Sequence, residues 1–189
     1  MSNRSYSHRR DHRTDKEFKR DISSRTKKER FLIQAFQREM KHRGHEVKVL
    51  DNGIDNSGQV IRGNTTCAAD YLVTVDGKEM ELEVKNSYVG FKCTFKVYNL
   101  EKYVESCASI LLFYDTGNIN YNLSNMDYDT ARWAIITPEK IAQMLEDKQE
   151  LYYNEAKFGG KLCLQITEDE YDKYFTPEEL TYHRKGRVL

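Results

Sequence analysis

The stretch DYLVTVDGKEMELEVK, Asp70 to Lys85, reads as two strands folded back on a two-residue turn. Apolar and polar residues alternate on either side of Asp76-Gly77. Asp-Gly is a strong hairpin signal because a type I′ turn needs positive φ at both central residues. With Asp76 and Gly77 as the loop, Val75 faces Lys78, and counting outward sets Asp70 across from Glu83. That pair is of the non-hydrogen-bonded kind, in which Cα atoms approach to about 4.5 Å. Tyr71, Val73, Val75, Met80, Leu82 and Val84 then form a core face, and Asp70, Glu83 and Lys85 share the polar one.

Two carboxylates about 5 Å apart repel by roughly 3 kcal/mol at an effective dielectric of about 20, and by under about 1 kcal/mol when fully solvated. Lys85 supplies one compensating charge, and an exposed hairpin tolerates such repulsion. Glu-x-Lys on a strand is therefore weak evidence of chemistry by itself. The elements around it add weight.

Upstream, apolar residues recur at helical spacing from Thr26 to Arg43, and Gly44 is suited to end the helix. At 100° per residue, Glu29, Ile33, Phe36 and Met40 fall within about 60° of one another, which puts Glu29 at the end of the buried stripe. Glu39 lies about 80° away at the stripe's edge, where a solvated carboxylate is expected. Glu29 is thus the preferred helix acid, with Glu39 as the fallback. An acid on a helix stripe, an acid at a strand start and Glu-x-Lys on the paired strand make the kind of oxygen-rich cluster that suits a hard divalent cation.

The rest of the chain alternates strands and helices. His45 to Leu50 reads as a strand, Asp51 to Gly58 as a loop and Gln59 to Arg62 as a second short strand. Asn99 is expected to cap a helix with Leu100, Tyr103, Val104 and Cys107 on one stripe, and Ser109 to Tyr114 to form a central strand covered on both faces. A polar loop, Gly117 to Thr130, leads to the strand Trp133 to Ile136. Thr137-Pro138-Glu139 then reads as a helix start, and Leu162 to Ile166 as a further strand. Thr167 with Glu170, and Thr176 with Glu179, read as two capping boxes opening short closing helices.

The 189 residues, 39% of them hydrophobic, suffice for one good core. The net charge is zero, yet Met1 to Lys28 holds ten basic residues against four acids, so this segment is +6 and the remainder −6. With few large aliphatic residues, residues 1–25 are expected to form a flexible or partly helical basic arm ahead of a domain at 26–189. Such an arm suits a polyanionic partner or serves as a solubilising tail. Lys92 and Lys96 interleave with Phe91, Phe95 and Tyr98, which suits phosphate contact and base stacking or, equally, a half-buried strand with solvated lysines. The longest mainly apolar run, Ala108 to Tyr114, falls far short of the roughly 20 residues that span a bilayer, so no membrane association and an intracellular, cytoplasmic setting are expected. Cys67, Cys93, Cys107 and Cys163 form no CxxC pair and are expected to be reduced thiols.

Through Ala69-Asp70-Tyr71-Leu72-Val73 and Glu81-Leu82-Glu83-Val84-Lys85, the chain resembles the PD-(D/E)XK nuclease superfamily from about Thr26 to Tyr114. Within it the chain looks most like Holliday-junction resolvases and small phage endonucleases. Ala69 stands where the naming proline would be, and Glu29 lies about one turn farther from Gly44, on the same helix face. The resemblance implies an α/β restriction-endonuclease-like core, with a mixed central sheet, a helix, the hairpin, a second helix and a strand, plus C-terminal β/α additions. It implies that Asp70 and Glu83 ligate Mg2+, for which Mn2+ substitutes, together with the Val84 carbonyl. Lys85 would orient or deprotonate the attacking water, and Glu29 would support the metal shell. It implies DNA as partner, contacted by Arg25, Lys27, Lys28, Lys92 and Lys96, and a two-fold dimer where two strands are resolved symmetrically. An inactive nuclease-fold protein that binds nucleic acid or a protein partner is the alternative.

Overall fold

The computed structural model describes residues 15–52, 69–87, 92–117, 119 and 123–182. The first helix, α1 (Asp15–His42), begins before the expected Thr26. Its first turns are rich in Lys, Arg and Glu, which have high helix propensity without needing a core to bury against. The basic arm is therefore helical from Asp15 onward and continuous with the body, while its first fourteen residues lie outside those described. Leu32, Ile33, Ala35 and Phe36 form the buried stripe, and Gly44 takes φ 93° just past the helix end.

Among the described residues the strands are β1 (Val47–Asp51), β2 (Tyr71–Val75), β3 (Lys78–Asn86), β4 (Lys92–Lys96), β5 (Ser109–Tyr114), β6 (Arg132–Ile136), β7 (Tyr153–Glu155), β8 (Lys161–Thr167) and β9 (Glu178–Glu179). Six make a mixed sheet in the order β1-β2-β3-β5-β6-β9, antiparallel except for β3 with β5. A parallel pair needs a crossover, here supplied by β4 and α2 (Val97–Glu105). β4 belongs to a second antiparallel sheet, β4-β8-β7.

The main sheet is covered on both faces. One face packs Val73, Leu82, Val84, Leu111, Phe113 and Trp133 against α1. The other packs Ile110, Leu112, Ala134 and Ile136 against α2, α3 (Pro138–Asp147) and the second sheet. All six residues of β5 are buried, as its near-continuous apolar run predicts. Among the described residues no helix is long and apolar enough to cross a membrane.

Local signals succeed where a side chain can satisfy the backbone. Thr137 Oγ1 accepts from Lys140 N at 3.5 Å and Pro138 opens α3. Glu170 accepts from the Thr167 backbone N–H and hydroxyl, closing the capping box that leads through a 3-10 turn into α4 (Tyr171–Tyr174). The second box does not form: Glu178 and Glu179 instead pair with Trp133 and Arg132 as β9, and Arg43 binds Glu178 and the Glu179 carbonyl. Nor does Asn99 cap α2, which starts two residues earlier after Lys96. The short strand expected at Gln59 to Arg62 lies outside the described residues.

Glu39, expected to be solvated at the edge of the stripe, is fully buried instead. Its carboxylate accepts from Thr181 N (2.8 Å), Thr181 Oγ1 (2.6 Å), Tyr182 N (2.8 Å) and Arg43 Nε (2.7 Å). Burial alone would raise its pKa, but these donors outweigh it and hold the carboxyl below its usual range. Arg43 also stacks over Trp133 at 5.3 Å. Glu39 is thus a structural acid that ties the C-terminal segment to α1, and its burial reflects a segment arriving from far along the chain. Glu39→Ala would leave the Thr181 and Tyr182 backbone N–H groups without their acceptor and take one partner from Arg43, which keeps Glu178 and the Glu179 carbonyl. A loss of about 3 kcal/mol is expected, or roughly 6–12 °C in melting temperature. The penalty, read by thermal melts, should shrink as acid protonates Glu39 in the parent.

Candidate active site

Its geometry starts at the hairpin turn. Asp76 and Gly77 take φ 49° and 79°, as a type I′ turn requires. Asp76 also anchors β1: its carboxylate accepts from Glu46 N at 2.9 Å and lies 2.7 Å from His45 Nδ1. The register runs from Val75 opposite Lys78 to Tyr71 opposite Leu82, so the next position sets Asp70 beside Glu83, as the sequence predicts. The expected core face is also present, with Tyr71, Val73, Leu82 and Val84 buried.

At Asp70 the β2–β3 ladder stops and side chains take over. Asp70 Oδ2 accepts from Val84 N at 3.0 Å, and its backbone carbonyl accepts from Asn52 N at 3.0 Å. The N–H and C=O of a strand residue point to the same side. The Val84 carbonyl is therefore directed toward the space where β2 has ended, and Lys85 Nζ lies 3.5 Å from it. That ammonium also forms an ion pair with Glu83 Oε1.

Electrostatics couple the group tightly. Burial, and then the Glu83 charge, push the Asp70 pKa up to about 7, against the opposing pull of Lys85 and of the Val84 N–H. Glu29, half-buried on α1, is also raised, by burial first; Lys85 opposes the shift and Glu83 adds to it. α1 thus brings Glu29 to the end of the sheet where Asp70, Glu83 and Lys85 meet. For Lys85, burial opposes the charge, but Glu83 and Asp70 outweigh it and raise the pKa.

Sequence reasoning missed Tyr103. It belongs to the predicted helix stripe, and its ring is indeed buried, at 4% exposure. Its hydroxyl, however, hydrogen-bonds Glu83 and receives a hydrogen bond from Asn99, and Lys85 Nζ lies 5.9 Å from its ring. Burial, and then the Glu83 charge, drive its pKa far up, so it stays a neutral donor. The available signal was Tyr rather than Phe on an apolar stripe, since a buried tyrosine hydroxyl usually finds a partner. Asn99, four residues earlier on the same helix face, serves this hydrogen-bond chain instead of the helix end.

The predicted nucleic-acid contacts separate. Arg25, exposed, and Lys28, half-buried, share the helix face of Leu32, whereas Lys27, also exposed, lies roughly 150° around α1. Lys96 is half-buried at the site end of β4, while Lys92 is exposed about 13 Å away at its start.

Among the described residues no three His, Cys, Asp or Glu side chains converge as a ready-made metal cage. The donor set fits Mg2+ nonetheless, because Mg2+ keeps several waters and takes one or two carboxylates rather than an all-protein shell. Asp70, Glu83 and the Val84 carbonyl are hard oxygen donors, and the like-charge strain on Asp70 is what a cation would relieve. No family model matches the chain, and no curated protein matches it.

An acid whose folded pKa is raised takes up protons on folding between its unfolded and folded pKa, so it costs stability as pH rises from about 4 through 7. Without added metal, Asp70→Asn should therefore melt roughly 3–6 °C above the parent at pH 8, with the gap closing toward pH 5. Thermal melts across that range check this; a variant that is destabilised equally at both pH values contradicts it.

Proposed function

We propose that the chain is a Mg2+-dependent endonuclease with a restriction-endonuclease-like core, hydrolysing phosphodiester bonds in DNA. The observation that carries this reading is the convergence of Asp70, Glu83 and Lys85 at the open end of the β2–β3 hairpin, with Glu29 brought in by α1. The order helix, hairpin, helix, strand, with β3 and β5 parallel, supports it further.

Asp70, Glu83 and the Val84 carbonyl would hold the ion, with Glu29 behind them. When bound, Mg2+ supplies polarisation of a phosphoryl oxygen and a bound water of lowered pKa. Tyr103 fixes the Glu83 carboxylate by hydrogen bond, leaving its other lone pairs available. Lys85 remains an ammonium and therefore orients water and offsets negative charge rather than acting as a free base. Asp70 has to shed its proton to serve as a ligand, so at limiting Mg2+ the apparent affinity for the ion should rise with pH.

One observation favours a second reading. Lys85 already pairs with Glu83 and approaches the Val84 carbonyl, where a cation would sit. A chain in which that pair is permanent would bind nucleic acid without cutting it. A panel of branched, linear and single-stranded DNA with Mg2+ or Mn2+ separates the two. The nuclease reading predicts cleavage that falls about 100-fold or more in Asp70→Asn and in Lys85→Ala. Cleavage unchanged in both variants, or binding without cleavage across the panel, would contradict it.

A further inference from the structure

Beside the acidic cluster lies a cationic one that the hydrolytic reading leaves unused. Lys96 ends β4 opposite Cys163 of β8. Lys161 lies two residues before Cys163 and so shares its face, as a diagonal neighbour of Lys96 at about 7–8 Å. The cations acting most strongly on Lys96 are Lys161, Arg25 of α1 and Lys85, reached from three other elements. Burial first, then these like charges, pull its pKa down to about 8.

Lys96 enters none of the ion pairs formed among the described residues. Glu155 stands opposite Lys161 across β7 and β8, whereas Lys96 meets the Cys163 thiol and the Phe158 ring, 5.0 Å from its Nζ. A lysine held half-buried among cations is costly to a fold that could have placed a neutral residue there. An anion from outside the chain removes that cost.

We propose that Lys96, flanked by Arg25 and Lys161, holds a backbone phosphate of the nucleic-acid strand next to the one presented to Asp70 and Glu83, with the Phe158 ring alongside. This rests on the nucleic-acid reading of the site and names where the neighbouring phosphate is gripped. It also ranks the basic residues: Lys92, at the far end of β4, and Lys27, on the outer face of α1, are not part of the grip.

The test is fluorescence anisotropy of fluorescein-labelled DNA with the full chain in EDTA, so that binding is read without cleavage. Lys96→Met should weaken binding about tenfold at low salt and lower the slope of log affinity on log salt by about one. The same variant should melt higher than the parent, because a charge leaves a half-buried place; loss of fold would give the opposite shift. Lys92→Met should bind as the parent does. Parental affinity and slope in Lys96→Met, an equal loss in Lys92→Met, or no DNA binding by the parent would overturn the proposal. Should the parent cleave DNA while Lys96→Met binds normally, this inference falls and the nuclease reading stands. Should nothing cleave while Lys96→Met loses affinity, the reverse holds.

Discussion

The register of β2 on β3 forces two carboxylates together, and the side chains around them are arranged about that pair. Asp76-Gly77 permits one tight turn, that turn sets the pairing of β2 with β3, and the pairing leaves Asp70 no place but beside Glu83. Burial magnifies the repulsion, and the two together push the Asp70 pKa up. Everything nearby answers to that charge. Val84 N–H bonds one carboxylate, Tyr103 and Lys85 hold the other, and Glu29 adds a third acid where a purely structural design would add a base.

The scaffold makes such strain tolerable. β3 is paired on both sides and continues into a wholly buried β5, so the strand that carries Glu83 and Lys85 cannot yield. α1 is pinned at its far end through Glu39, Arg43 and the returning C-terminal segment, which keeps its other half aimed at the sheet end. Apolar packing fills both faces of the main sheet, and the charges acting on Asp70 gather at one end of β2 and β3. Local strain that a rigid fold maintains is a recurring mark of functional sites.

What the sequence revealed and what it hid divide along physical lines. The hairpin was legible because its turn chemistry and period-two alternation are local, and register then follows by counting. β5 and the Pro138 helix start were legible for similar reasons. Glu39 was misjudged because helical angle alone cannot foresee Thr181 and Tyr182 arriving from far along the chain. The Thr176 box lost to strand pairing with β6 and to Arg43, which are equally non-local. Tyr103 was hidden because its ring obeys the apolar stripe while only its hydroxyl serves the site. Lys161 was hidden because its nearness to Lys96 depends on the pairing of β4 with β8.

On the proposed reading, the Asp70–Glu83 pair would hold a divalent cation. Calorimetric titration of the full chain with Mn2+ at pH 7, repeated in buffers of different ionisation enthalpy, tests it most directly. Saturable binding that releases protons is expected, because the raised Asp70 pKa leaves part of that carboxyl protonated, and it should be lost in Glu83→Gln. Absence of binding, or binding of equal affinity in Glu83→Gln, would contradict it.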